Sequence, residues 1–189
     1  MIAALFVSGR SIYKHLPGVD AYDSKRDART FRANTPAVAH PPCRLWSKTL
    51  RHQAKSPAPL EEMECGRWAV RTILKCGGVL EQPAGSHLFA EMGLTVPMRP
   101  PHGQFFTMYV EQSWFGYASR KATWLLIAGV PFHQVPPVPF SLVERANGIT
   151  GLSSAARSRT MPAFAKWLCE IARRAKPLDA SGLSPIPCL

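Results

Sequence analysis

Two short apolar runs bracket one clear helix, and that order restricts the fold more than any other feature of the chain. Between Glu61 and Cys76, the residues Cys65, Trp68, Ala69, Thr72, Ile73 and Cys76 recur at helical spacing and mark one core-facing stripe. Glu61, Glu62 and Glu64 sit at the positive end of the helix dipole and Lys75 near its negative end. Gly77-Gly78 then ends the helix. Before it, Ala37-Val38-Ala39-His40 reads as a strand stopped by Pro41-Pro42, neither of which has a backbone N–H for a ladder. After it, Val79-Leu80-Glu81-Gln82 reads as a second strand, stopped by Pro83. A helix of this length is the crossover that two parallel strands require. The expected fold is therefore α/β, a three-layer domain around a mostly parallel sheet.

The remaining elements follow from the same signals. Ile2 to Val7 is a first strand, Ser11 to Leu16 a short helix and Val19 to Tyr22 a second strand, with Ser8-Gly9 as the turn and Pro17-Gly18 as a breaker. Ser86 to Met92 is a short helix. Phe105–Gln112 and Thr123–Gly129 are strands forming an antiparallel pair within or beside the sheet, with a turn at 114–117. Phe132 to Phe140 is proline-rich and non-helical, and Arg145 to Ser158 reads as loop. Thr160 is placed to cap a last helix with Pro162 in its first turn, whose apolar face is Phe164, Trp167, Leu168 and Ile171. Residues 1–176 make one domain, and 177–189 are expected as a disordered tail.

The formal net charge of +11 and a sequence pI near 9.9 point to a polyanionic partner, with DNA the leading candidate. An apolar fraction of 46% argues against disorder. No apolar run reaches the ~18 residues of a membrane span, and the five cysteines include no Cys-x-x-Cys pair, which fits reduced thiols in a cytoplasm. No metal site is expected.

The chemistry gathers behind the Pro-Pro pair. Cys43 is presented on the loop at a strand tip, and Glu81 ends the next strand, so the two share one sheet edge if the strands are parallel. Cys65 and Cys76, on the helix stripe, read as structural. A thiolate beside a carboxylate suits addition to a pyrimidine: sulfur attacks carbon 6, and the carboxyl holds ring nitrogen 3. A base within a duplex would have to be flipped out to reach them. Such chemistry predicts a Cys43 pKa lowered by Arg44 and Lys48, and a Glu81 pKa raised by desolvation. The run Arg44, Lys48, Arg51, His52, Lys55, with Trp46 inside it, suits phosphates and a stacked base; a solvated loop with one anchoring tryptophan fits the same residues. Near the amino terminus, Gly9 lies in the turn after the first strand and Asp23 ends the second. Nucleotide-binding units use that pattern, and so do ordinary strand–helix–strand units.

In this order the segments resemble the DNA (cytosine-5) methyltransferases, in the short form of phages and prophages. Pro42-Cys43-Arg44-Leu45-Trp46-Ser47 is similar to the nucleophile loop, and Leu80-Glu81-Gln82-Pro83 to the segment that contacts the target base. Phe115-Gly116-Tyr117 through Lys121, then Trp124 to Gly129, resembles the Gln-x-Arg-x-Arg segment and its following strand. Arg159-Thr160-Met161-Pro162 resembles the segment opening the late helix, and Ala4-Leu5-Phe6 with its turn resembles the cofactor segment. The resemblance implies a Rossmann-like domain acting on a flipped cytosine of DNA, with Cys43, Glu81 and Lys121 catalytic. It implies S-adenosylmethionine held by Phe6, Ser8, Gly9, Asp23 and Pro42, and DNA held by Arg44, Trp46, Lys48, Arg51, Arg120 and basic residues near the last helix. It also implies a setting in the cytoplasm of a bacterial host. From Pro131 to Arg159 only about 30 residues remain, fewer than the ~50 of a small domain, so sequence specificity is expected to be low or supplied by a protein partner. Two other readings stand beside this one. His40-Pro41-Pro42-Cys43 is also similar to the Asp-Pro-Pro-Tyr loop of amino-methyltransferases, and a DNA-binding relative without catalysis would keep the fold and the charge.

Overall fold

The computed structural model describes residues 1–47, 61–94, 103–140, 153, 156–157 and 159–179. Six strands form one sheet: β1 (Ile2–Leu5), β2 (Val19–Ala21), β3 (Ala37–Ala39), β4 (Gly78–Pro83), β5 (Phe105–Glu111) and β6 (Ala122–Ala128). Their order is β2-β1-β3-β4-β6-β5. β1 to β4 are parallel, and β6 runs antiparallel to both of its neighbours, β4 and β5. Among the described residues, the helices that frame the sheet are α1 (Glu61–Cys76), α2 (His87–Glu91) and α3 (Pro162–Arg174). No described helix is long and apolar enough to cross a membrane.

Every residue of β1 and β3 is buried, as strands covered on both faces must be. Alternate residues face opposite layers. Ile2, Ala4, Val38, Val79, Leu125 and Ile127 pack under α3, whose Phe164, Trp167, Leu168 and Ile171 face inward. Ala3, Leu5, Ala37, Ala39, Leu80 and Leu126 pack under α1. The small Ala3, Ala37 and Ala39 leave room for the α1 side chains. The buried stripe of α1 is broader than its sequence suggests. Val70 and Leu74 are buried with Ala69, Thr72, Ile73 and Cys76, whereas Cys65 and Trp68 are only half-buried at its margin. The extra contacts come from Tyr22, Ala28 and Phe31 on one side and from Leu88 and Phe89 on the other.

Most boundaries depart by a residue or two from the sequence expectations. β1 stops at Leu5 because Phe6 turns into the left-handed region at φ 58°. The segments at 12–15 and 132–134 are single turns of 3-10 helix, the second within the stretch expected to be non-helical. The cap of α3 is Met161 rather than Thr160, with no side-chain cap bond; Pro162 in the first position has no N–H to satisfy there. Past Pro177, where the sequence predicts a tail, Leu178 still packs on the core and the Asp179 amide donates to Gln104 Oε1 at 2.9 Å. Residues 180–189 and most of 145–158 lie outside the described residues; within the latter stretch, expected as loop, Ala156 and Arg157 are helical.

The glycines at the end of α1 permit close approach of backbone. Gly78 has φ 126°, and a Cβ there would lie 1.9 Å from the Ala37 carbonyl oxygen on the neighbouring strand. Gly78→Ala should therefore destabilise the protein by roughly 2–4 kcal/mol in urea unfolding. Gly85→Ala, at φ 79° with nothing within 4 Å, should cost only the left-handed backbone penalty of about 1–2 kcal/mol. Equal losses at the two positions would contradict the close β3–β4 approach.

Candidate functional site

The register of the sheet decides which side chains meet. β3 and β4 pair Ala39 with Leu80, so the residues that follow, His40 and Glu81, lie side by side at the carboxyl edge of the parallel strands. β6 runs back along β4, pairing Pro83 with Thr123, so Lys121 arrives at that same edge. β5 ends there too, and the Gln112 amide donates to the Lys121 carbonyl at 3.1 Å.

Glu81 is the centre of this cluster, with 13% side-chain exposure. Its Oε2 lies 3.2 Å from His40 Nδ1, and Gln112 Nε2 donates to its Oε1 at 3.0 Å. His40 Nε2 is 2.8 Å from the hydroxyl of Tyr13, which is fully buried. One consistent proton assignment has Tyr13 donating to Nε2 and Nδ1 donating to Glu81. Gln112 Nε2 also donates to Thr123 Oγ1 at 3.1 Å, while its buried Oε1 has no partner among the described residues. Burial pushes the Glu81 carboxyl up, but the His40 hydrogen bond, the Lys121 ammonium and Thr123 outweigh it. They hold the carboxyl below the ordinary glutamate value, the reverse of the expected rise. His40, Gln112 and Tyr13 were not legible as parts of this site. The one signal was His40 at the strand tip, directly before the proline pair.

Cys43 is partly exposed on its loop and lies within electrostatic reach of both Glu81 and Lys121. The loop is pinned from several sides. Gln82 Nε2 donates to the Pro41 carbonyl at 2.8 Å, and Ser86 Oγ donates to Gln82 Oε1 at 3.2 Å. The Cys43 carbonyl accepts from the amides of Trp46 and Ser47, and the Trp46 carbonyl accepts from the His87 amide at 2.9 Å. Burial, then the Glu81 charge, pushes the Cys43 thiol up; Lys121 opposes both. The expected lowering is thus reversed, and Arg44, expected to supply it, is engaged with Glu62 of α1 at 2.7 Å; Lys48 lies outside the described residues.

The nucleic-acid contacts expected from the sequence are also corrected. Trp46 is 1% exposed and packs against Gly66, where a Cβ would lie 2.6 Å from its Nε1. It anchors the loop and cannot stack on a base. Arg120 clamps the buried Glu111 through Nε at 3.1 Å to both carboxylate oxygens, with Tyr109 donating to the same group at 2.9 Å. Arg51, His52 and Lys55 lie outside the described residues. Lys121 is half-buried, with its Nζ 5.3 Å from the centre of the Tyr117 ring.

The five residues expected to hold S-adenosylmethionine flank β1, β2 and β3 at this edge. Phe6 sets its ring edge-on to Trp68 at 5.8 Å, Pro42 is half-buried beside Cys43, and Ser8 and Gly9 are exposed. Asp23 faces Gly9, but its carboxylate is already satisfied. Lys14 Nζ binds Oδ2, and the amides of Lys25 and Arg26 donate to Oδ1 at 2.9 and 3.2 Å. With 6% side-chain exposure it has no free face for a ribose diol, so the residues as held do not fit that cofactor. Among the described residues, no group of three or more His, Cys, Asp or Glu could hold a metal ion. No family model, curated protein or solved structure matches the chain.

Two measurements probe these charges. Glu81→Gln should speed alkylation of Cys43 by iodoacetamide near pH 8 and Lys121→Met should slow it, read peptide by peptide; opposite signs would break the coupling. Cys76 and Cys169, buried with thiols pushed up to about 11, should stay unreacted. Lys14, ahead of the two amides, lowers the Asp23 carboxyl to about 2. Its stabilising effect is then complete above the unfolded value of about 3.9 and fades as pH falls towards 2. Lys14→Met should shrink the stability lost between pH 5 and 2, measured by urea unfolding at each pH.

Proposed function

We infer that the chain is a DNA-binding protein of the cytosine-5 methyltransferase type, with a Rossmann-like fold, whose Cys43–Glu81 edge receives a flipped cytosine. The observation that carries this reading is the meeting of Cys43, Glu81 and Lys121 at the carboxyl edge of the parallel strands, where Glu81 and Lys121 act in opposite senses on the Cys43 thiol. The strand order supports it. The chain lays β2 on one side of β1 and β3 on the other, and in doubly wound sheets ligands bind at such a switch point, here beside the loop that follows β3.

The resting charges suit an addition that moves one proton. Cys43 rests as a thiol and Glu81 as a carboxylate, a pair with the same net charge as a thiolate beside an acid. Glu81 accepts two donors, from His40 and Gln112, and a carboxylate has about four lone-pair sites, so capacity remains. As sulfur bonds to carbon 6, the thiol proton passes to Glu81 and on to ring nitrogen 3. The carbon 5–carbon 6 double-bond electrons become the enamine. Lys121 stabilises the anionic pair throughout. The enamine can take a solvent proton at carbon 5, and loss of the original hydrogen then expels the sulfur and returns the proton through Glu81.

That sequence needs no methyl donor, and its test is exchange. Incubated in deuterium oxide, DNA should exchange the carbon 5 hydrogen of cytosine with the native protein. Exchange should disappear in Cys43→Ala, fall by about 10²–10⁴-fold in Glu81→Gln as loss of an acid–base group does, and persist in Cys65→Ala. A second reading is a DNA-binding relative without catalysis. The closure of Asp23 against Lys14 favours it. DNA binding with no exchange, and no heat on titrating S-adenosylmethionine, would establish that reading in place of the first.

A further inference from the structure

A concave site lies away from the Cys43–Glu81 edge, between the segment after β2 and the outer face of α1. It is an open cleft of about 220 Å³, with Arg32 on one wall, Arg71, Thr72 and Lys75 on the other, and Phe31 and Trp68 completing it. Seven other cations, Lys14, Arg26, Arg29, Arg44, Arg67, Arg120 and Arg174, each hold a carboxylate. Arg32, Arg71 and Lys75 are exposed, and among the described residues no carboxylate pairs with any of them. Trp68, Arg71, Thr72 and Lys75 follow at helical spacing, so a half-buried indole and two cations line one stripe of α1. Arg32 comes from the facing segment, next to Ala33, which holds a left-handed φ of 51°.

We propose that this cleft binds the phosphodiester backbone of a single nucleic-acid strand, with a base stacked on Trp68. Three converging cations without acidic partners attract an anion, and the indole beside them offers the π-face that a neighbouring base requires. The volume is below the ~300–1,000 Å³ of sites for whole drug-sized ligands, which suits one backbone unit passing through an open groove. Trp68 sets its ring against Phe6, just past β1, and Arg71 and Lys75 follow it along α1, so the lining of the cleft extends along the helix. The proposal rests on the reading of the chain as a nucleic-acid binder, but on no chemistry at Cys43.

The experiment uses a fluorescent oligothymidylate, which has no cytosine, and follows anisotropy from 50 to 300 mM salt. Replacing Arg32, Arg71 and Lys75 together by Gln should weaken binding on the order of tenfold. It should also reduce the slope of log K against log salt by about 0.7 for each phosphate no longer neutralised. Trp68→Leu should weaken binding with the slope unchanged. A control triple, Arg10, Lys25 and Arg29 to Gln, removes the same charge at exposed positions elsewhere and should leave most of the affinity. Thermal melts check that each variant folds. Equal losses in the two triples, or none in the cleft variant, would overturn the proposal. So would inorganic phosphate competing as well as a nucleoside monophosphate, since the cleft would then take a free anion rather than a strand. Loss of cytosine exchange in an otherwise intact oligothymidylate binder would count against the Cys43 reading alone.

Discussion

A carboxylate almost removed from water must be compensated, and around Glu81 the compensation comes from the whole carboxyl edge of the sheet. His40 follows β3, Gln112 follows β5, Thr123 lies in β6 and Lys121 directly precedes it. Behind His40 stands Tyr13, which connects the cluster to the turn between β1 and β2. A buried charge without partners costs several kcal/mol, so each of these segments is held in place partly by the demand of one side chain. The same compensation makes Glu81 an anion at rest. Burial first, and then that anion, keeps the proton on Cys43.

The fold was largely legible because it depends on patterns that local sequence carries. The helix from Glu61 to Cys76 and the apolar runs on either side of it were readable from spacing and from Pro-Pro and Gly-Gly punctuation, and parallel pairing followed from the crossover. The meeting of Cys43, Glu81 and Lys121 at one edge was legible for the same reason. Their electrostatics were not. Arg44 is neutralised by Glu62, 18 residues away, and Arg120 by Glu111, 9 away across a hairpin. Pairings over such separations are set by how elements pack, and charge counting along the chain cannot find them. Trp46 shows the same limit: an aromatic in a basic run reads as a stacking platform until Gly66 is found beneath its ring.

The distribution of charge also changes what a net +11 means. Much of the positive charge is tied up locally, at the 14–29 turns, on α1 and at the β5–β6 hairpin, and so contributes to order at least as much as to attraction. What acts on a polyanion is the remainder, and its position matters more than the total. Asp23 follows the same logic from the acidic side. Enclosed by Lys14 and two amides, it rigidifies the turn after β2 and is closed to other partners.

The insertion of β6 between β4 and β5 sets an order in which the protein must be made. As the chain leaves a ribosome, everything through β4 comes out first, and it already carries Tyr13, His40, Cys43 and Glu81. The amide and the ammonium that settle Glu81 come from residues 112 and 121, on a hairpin whose two strands form later and whose second strand must dock against β4. Until it docks, β4 is an open edge carrying a carboxylate with only His40 of its partners in place. Nascent chains halted before Ala122 would keep the Cys43 loop on an unfinished sheet, open to edge pairing and to any holdase that recognises exposed strands. Synthesis of the hairpin therefore closes the sheet and completes the site in a single docking step.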